Sequence, residues 1–522
     1  RQTEPLLQFV HGRALSLPGK YGIGTLGKEA YHFIDFLEAA GQRYWQLLPL
    51  NPTHFGDSPY QSFSSAAGNP YFIDLECLIE AGLLERAECD RAELGSDPGR
   101  VDYGKLYDHR LPLLEQAFAR FTPGEDHARF CREQADWLED YALFMALKDA
   151  HGGAGWREWE KPLRLRQPRA LAEFRQQHAQ RLAFYRFVQF EFYRQWDALK
   201  AYAHAHGVQI IGDMPIYVAD DSADVWADPE QFDLDEELLP RVVAGCPPDA
   251  FTEDGQLWGM PVYNWAQMRR EPTPYRWWRQ RMRRTLALYD VVRIDHFRGF
   301  ESFYCIPYGA VNAKKGVWRQ GPGMELFRAL EADFGGPLPI IAEDLGFLTP
   351  AVRQLLADSG YPGMKVLQFA FDPAGDSEYL PYRYPRHCVV YTGTHDNDTI
   401  MGWTHTAAPA EVAFARRYLH VDDGEGFNWA MIRAALMSVA DTAILMMQDF
   451  MGLGSEARIN TPATLGGSNW QWRIGEGCIN DWLAQIIREN TALYGRLPES
   501  HKAKKAPAAS TAAAAIDDAG QK

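Results

Sequence analysis

Eight short runs of aliphatic and β-branched residues recur along the chain: Leu6–Val10, Tyr44–Leu50, Val208–Val218, Val291–Phe297, Leu338–Glu343, Met364–Phe371, Cys388–Thr394 and Ala443–Asp449. Most are separated by stretches with helical spacing of apolar residues, such as Lys28–Ala40 and Glu325–Phe334. Near-continuous apolar runs suit parallel strands that are covered on both faces. Their alternation with helices predicts an α/β fold, specifically a (β/α)8 barrel. Several runs close on a polar residue: Asp213, Asp295, Glu343, Asp396 and Asp449. Barrel enzymes carry their chemistry at the C-terminal ends of the strands, so these acids are expected on one rim. The longest apolar stretch, Ala434 to Leu453, includes Asp441, Gln448 and Asp449. It reads as a helix end followed by a buried strand, and no membrane association is expected.

The spacing of the runs defines the organisation. Residues 1–498 are read as one catalytic barrel. The gap between the second and third runs, residues 51–205, is too long for a simple connection. It begins as a Pro/Gly/Ser-rich loop and continues with helical segments such as Asp136–Asp149 and Ala183–His204. This is read as a largely helical insertion at the C-terminal face, forming one wall of a cleft. Residues 499–522, rich in Ala, Lys and Ser, are read as a disordered tail.

Composition narrows the partners. A formal charge of −16 argues against nucleic acid, whose phosphates require clustered Lys and Arg. Sixteen Trp and 24 Tyr offer flat faces suited to sugar rings, although they suit core packing equally well. The seven cysteines are scattered, with no CxxC spacing. They read as thiols of a cytoplasmic protein and not as a disulfide frame or zinc site.

Three acidic segments carry the chemistry. In Val291-Val-Arg-Ile-Asp295-His296-Phe-Arg-Gly299, Arg293 lies two residues from Asp295 and so on the same strand face. Ile340-Ile-Ala-Glu343-Asp344 ends a second run, and Tyr391-Thr-Gly-Thr-His395-Asp396-Asn397-Asp398 a third. Each acid taken alone fits a helix cap or a salt bridge. Together on one rim they crowd negative charge, as retaining glycosyl transfer requires: one carboxylate as nucleophile and one protonated acid. Like charge and burial keep one carboxyl protonated, and an arginine keeps its neighbour ionised. On this reasoning Asp295 is the nucleophile and Glu343 the acid/base. Asp396 remains to bind sugar hydroxyls and to stabilise the oxocarbenium-like transition state.

Longer blocks surround these segments. They are Ser16-Leu-Pro-Gly-Lys-Tyr-Gly-Ile-Gly-Thr-Leu-Gly27, Ser58-Pro-Tyr-Gln-Ser-Phe-Ser-Ser-Ala-Ala-Gly-Asn-Pro-Tyr71, Gly212-Asp-Met-Pro-Ile-Tyr-Val218, the stretch from Pro247 to Gly259, and Asn469-Trp-Gln-Trp-Arg473. In this order the chain resembles the 4-α-glucanotransferases known as amylomaltases or disproportionating enzymes, glycoside hydrolase family 77 of the α-amylase clan. The resemblance implies the same roles for Asp295, Glu343 and Asp396. It also implies donor-site sugar contacts for Asp213, Arg293 and His395, and glucan contacts for Tyr60 and Ser62, where turn packing is the rival reading. Residues 245–265 resemble the loop that overhangs the family's active site, with Asp249, Phe251 and Trp258 as acceptor contacts. Cys246 stands there where a small apolar residue is expected. Donor and acceptor would both be maltooligosaccharides or α-1,4-glucans, with no cofactor and no metal. Oligomeric state is not specified by any of these residues.

Other readings are weaker. Gly22-Ile-Gly-Thr-Leu-Gly27 matches GxGxxG but follows a Leu-Pro-Gly loop, with no acid about 20 residues on. Asp220-Asp221 and His395-Asp396-Asn397-Asp398 suggest a metal, yet adjacent acids on a strand point in different directions. Ser58–Ser65 lacks the GxSxG of a serine hydrolase. An α-1,4-glucan hydrolase is the nearer alternative. A glucan-binding scaffold without catalysis is the further one, although all three acids are present.

Overall fold

The computed structural model describes residues 6–10, 16–54, 56–248, 252–346, 348–422 and 424–502, with backbone only at 6–10, 500 and 502. Twelve strands are formed among them: β1 (Leu6–Val10), β2 (Tyr44–Gln46), β3 (Gln209–Met214), β4 (Val242–Cys246), β5 (Gln256–Pro261), β6 (Val291–Ile294), β7 (Ser302–Pro307), β8 (Val317–Gln320), β9 (Ile340–Ala342), β10 (Gly363–Val366), β11 (Cys388–Tyr391) and β12 (Thr442–Met446).

Eight of these make one sheet in the order β10-β11-β12-β1-β2-β3-β6-β9, and every pairing is parallel. They are the eight runs read from the sequence. The two outer strands meet as well: the Ala342 N–H donates to the Pro362 carbonyl at 2.9 Å, and the Met364 N–H donates to Asp344 Oδ1 at 2.7 Å. The fold is the (β/α)8 barrel. Asp344, the second acid of its segment, therefore belongs to barrel closure.

Apart from β1, each strand of this sheet is shorter than its apolar run. Pro215 follows β3 at once and cannot donate to a ladder. A 3₁₀ turn, Leu367–Phe369, follows β10, and one helical turn, Met447–Phe450, follows β12. These continuations are still apolar because they cap the barrel end, and hydrophobicity alone does not mark where the ladder stops. The stretch from Ala434 resolves as expected, into the end of helix Phe427–Met437 and then β12.

The helix Lys28–Ala39 shows how the outer layer is held. Ala30, Phe33, Ile34 and Leu37 are buried at helical spacing, and Phe33 packs edge-on to Trp45 of β2 with ring centroids 5.1 Å apart. The glycines before it serve packing. Gly22 has φ +79°, and a Cβ there would lie 1.8 Å from the Leu94 carbonyl oxygen. A Cβ on Gly27, the residue before the helix, would strike the Asp74 side chain.

The long connection from β2 to β3 is helical, with Ala135–Ala150 and Ala179–Ala205 as its main elements. Gln189 clamps its first loop from the second helix: its Oε1 accepts from the Gly68 N–H at 2.8 Å and its Nε2 donates to the Gly68 carbonyl at 2.9 Å.

A second sheet was not foreseen. It is antiparallel in the order β5-β4-β7-β8, so it joins the β3–β6 connection to the β6–β9 connection. The sheet hides in the sequence because β8 is exposed throughout, β5 is only partly buried, and neither has an apolar run. Of the tail, Glu499–Lys502 form a short helix, and the remainder lies outside the described residues.

Candidate active site

Strand register brings the first acids together. Asp213 is the ladder partner of Arg293, and Ile294 that of Ala342. The next residues along β6 and β9 are Asp295 and Glu343, which are therefore neighbours on the C-terminal rim. Backbone bonds fix both: the Asp295 N–H donates to the Met214 carbonyl and the Glu343 N–H to the Ile294 carbonyl, each at 3.0 Å.

Arg293 is the hub. Its Nη1 donates to both oxygens of Asp213, at 2.9 and 2.8 Å, and its Nη2 donates to Asp295 Oδ1 at 3.0 Å. The Arg293 and Asp213 side chains are 5% and 0% exposed, whereas Asp295 keeps 33% of its side-chain surface open. Burial works against the Arg293 charge, but Asp213 and Asp295 hold the guanidinium well above its ordinary range. Tyr60, from the loop after β2, donates its hydroxyl to Asp213 Oδ2 at 2.7 Å. A side chain about 150 positions away in sequence thus completes this corner.

Glu343 has the opposite character. Burial first, and then the negative charge of Asp295, push its carboxyl up to about 7. Arg293 and two backbone N–H groups oppose this shift: His296 N donates to Oε2 at 2.7 Å and Leu345 N to Oε1 at 2.8 Å. His296 reaches that position in the left-handed region, at φ +54°. Burial lowers its imidazole to about 4, so the ring is neutral beside Asp295.

Asp396 comes from the segment after β11. Burial pushes its carboxyl up, but His395 and a hydrogen bond from Asn460 Nδ2, at 2.7 Å to Oδ1, outweigh burial and hold it at about 2. His395 Nε2 lies 3.4 Å from Asp396 Oδ2. Burial opposes the imidazolium charge, but Asp396 prevails and the His395 pKa is raised. The His395 ring stacks on Tyr60, with centroids 5.2 Å apart, and Trp470 packs against both. The block Asn469–Arg473 thereby supports the same corner.

The remaining predicted residues divide. Trp258 on β5 is half-buried, with its ring edge-on to His296 at 4.9 Å and its indole N–H donating to Gln256 Oε1 at 3.0 Å. Ser62 lies in the Tyr60 loop, but its hydroxyl donates to the Ser64 carbonyl at 2.9 Å within a turn. Asp249 and Phe251 lie outside the described residues. Among residues the sequence reading passed over, His296 and Asn460 touch the acids, and Gln256 holds Trp258. Asn460 is 64 positions from Asp396, and no local pattern marks it.

The suspected metal motifs are occupied by protein groups. Asp220 pairs with Arg157, and Asp221 accepts from Lys148 at 2.6 Å and faces His54 Nε2 at 3.1 Å. No group of three potential ligands converges among the described residues. A cavity of about 430 Å³ lies at the opposite mouth of the barrel, where Tyr44, Val291 and Ile340 begin their strands and Pro362 precedes β10. It contains none of the carboxylates described above.

A barrel rim with an arginine-bound carboxylate, a carboxyl raised to about 7 and a third held at about 2 has the arrangement that carboxylate-based glycosyl-transfer enzymes use. Residues 13–477 match glycoside hydrolase family 77, described as 4-alpha-glucanotransferase, and the chain belongs to that family. It is 52% identical over 476 residues to the 4-alpha-glucanotransferase of Thermus thermophilus, covering 88% of this chain and 93% of that one. It is 46% identical over 485 residues to that of Clostridium butyricum, covering 92% of this chain and 99% of the relative. The solved amylomaltase of Streptococcus agalactiae in complex with acarbose superposes with a TM-score of 0.91 at 40% identity, covering 95% of this chain and all of that one.

Proposed function

We propose that this 4-α-glucanotransferase moves α-1,4-glucan segments between maltooligosaccharides by double displacement, with retention at the anomeric carbon. In the first step Asp295 attacks C1 of the donor sugar. The C1–O4 bond breaks, and Glu343 gives its proton to the departing O4. In the second step Glu343 takes the proton from a 4-hydroxyl of an acceptor glucan. That oxygen attacks C1 and releases Asp295. Asp396 binds sugar hydroxyls and stabilises the positive charge of the transition state, with Asp213, Arg293 and His395 around the donor sugar.

The observation that carries this reading is the asymmetry of the neighbouring acids: Asp295 receives the Arg293 guanidinium, while burial and Asp295 raise Glu343 to about 7. A group with that pKa serves as acid and then as base near neutrality. Trp258, together with Asp249, Phe251, Tyr60 and Ser62, is assigned to glucan contact. Exclusion of water by the covering segment favours transfer over hydrolysis. The seven thiols, none joined in a disulfide, suit a cytoplasmic enzyme of maltose or glycogen use.

Incubation with maltotriose tests the reading, with products sized and reducing ends counted. Glucose together with maltopentaose and longer chains, at a constant number of reducing ends, is expected, and Asp295→Asn should abolish both. A rise in reducing ends without longer products would make the enzyme a hydrolase.

A further inference from the structure

Of the five acids first read as closing the apolar runs, Asp449 is the one for which the double displacement has no use. Strand β12 stops at Met446, and the helical turn Met447–Phe450 carries Asp449 beneath the segment that joins β11 to the helix Ile400–Thr406. Asp449 is 1% exposed, and Thr392 and Ile400 are fully buried. Its two oxygens reach the two ends of that segment. Oδ2 accepts from Thr392 Oγ1 at 2.8 Å, and Oδ1 accepts from the Ile400 N–H at 2.8 Å. One carboxyl therefore closes a loop that contains His395 and Asp396. The fit is held from behind, where Asn428 Nδ2 donates to the Asp449 carbonyl at 2.8 Å.

The rest of the loop is braced in the same direction. Asn397 Oδ1 accepts from the Thr394 N–H at 2.8 Å, Ser455 Oγ donates to Asp398 Oδ2 at 2.7 Å, and Gln368 Nε2 donates to the Asp398 carbonyl at 2.7 Å. Asp398, which looked like a metal ligand, is thus a loop fastener. Asp396 is different, because 47% of its side-chain surface is open. Its placement depends on the backbone beneath it, and that backbone is pinned at both ends by Asp449.

We propose that Asp449 is a positioning residue for Asp396: by spanning Thr392 and Ile400 it holds the loop at the depth where Asp396 meets the donor sugar. This rests on the reading of Asp396 as a transition-state carboxylate. Misplacement of a catalytic group by roughly 1 Å costs on the order of 100-fold in rate, which is the scale at stake. Burial and the nearby Asp398 raise Asp449 to about 7, so geometry is expected to matter more than charge. An asparagine can make the same span, with Oδ1 accepting from Ile400 and Nδ2 donating to the threonine oxygen.

The test measures kcat and KM on maltotriose for Asp449→Ala, Asp449→Asn, Thr392→Val and Asp396→Asn, with thermal unfolding recorded for each. Asp449→Ala should lower kcat by about 10- to 100-fold with KM changed less than about threefold. Asp449→Asn should recover to within about threefold of wild type. Thr392→Val cuts one tie only and should lower kcat by about threefold or more, which decides the matter if the alanine variant does not fold. A folded Asp449→Ala or Thr392→Val with wild-type kcat overturns the proposal. So does a loss carried wholly by KM, or an asparagine variant as poor as the alanine one. Full activity in Asp396→Asn would instead remove the underlying reading. An impaired Asp396→Asn beside an unimpaired Asp449→Ala removes the positioning claim alone.

Discussion

The carboxyl of Glu343 offers the sharpest test, because the same proton that is held in place by burial is the one that leaves with O4. A carboxyl at its ordinary 4.5 would be protonated in only about one molecule in 300 at pH 7, whereas one at about 7 is protonated in half. Raising it is therefore worth on the order of 100-fold in available acid, or about 3 kcal/mol at ~1.4 kcal/mol per pH unit. The sign follows from the chemistry. Bond cleavage needs the protonated form, so kcat/KM for the donor should be level below about pH 7 and fall tenfold per pH unit above it. The assay is initial-rate kinetics on maltotriose between pH 6 and pH 9, repeated with Glu343→Gln. The glutamine variant should lose activity on maltotriose at every pH. A glycosyl fluoride needs no proton for departure, so with this donor the variant should form the glycosyl-enzyme without a falling limb. A wild-type kcat/KM that already falls tenfold per pH unit from pH 6, or a limb that persists in Glu343→Gln with the fluoride donor, would refute the assignment.

Arg293→Lys keeps the charge but not the fork, so one nitrogen must replace the two that serve Asp213 and Asp295 separately. The expected cost is roughly 2–4 kcal/mol in stability, read by denaturant unfolding, together with at least 100-fold in kcat/KM. Gly22→Ala places a Cβ against the Leu94 carbonyl at φ +79° and should cost more than about 2 kcal/mol. Since Gly22 touches none of the acids, kcat per folded molecule should stay within about twofold; a large fall in kcat at unchanged stability would contradict the packing role. Glu343→Gln should also flatten stability against pH. The wild-type carboxyl has a folded pKa above its unfolded one, so its contribution is fully present below about 4.5 and is lost as pH rises through about 7.

The amino-acid sequence by itself determined the barrel, because eight apolar runs separated by helical spacing have few other ways to bury both faces of each strand. It also marked the three acids, since a charged residue that ends an apolar strand is locally conspicuous, and the two-residue period put Arg293 on the face of Asp295. Tertiary structure decided what those acids are. Register alone set Asp213 across from Arg293 and Glu343 beside Asp295, and the partners that folding supplied, Asp295 beside a buried Glu343 and His395 with Asn460 beside Asp396, separated a carboxyl at about 7 from one at about 2. The partners Tyr60 and Asn460 arrive from distant loops, and Trp258 sits on a strand, Gln256–Pro261, that is only partly buried and has no apolar run. Asp449 is the clearest case. In sequence it is one more acid at a strand end, but the helical turn after β12 buries it beneath the Asp396 loop, where both its oxygens are bound. Local pattern reports which residues end a strand, but a pKa or a clamp depends on the neighbours that folding supplies.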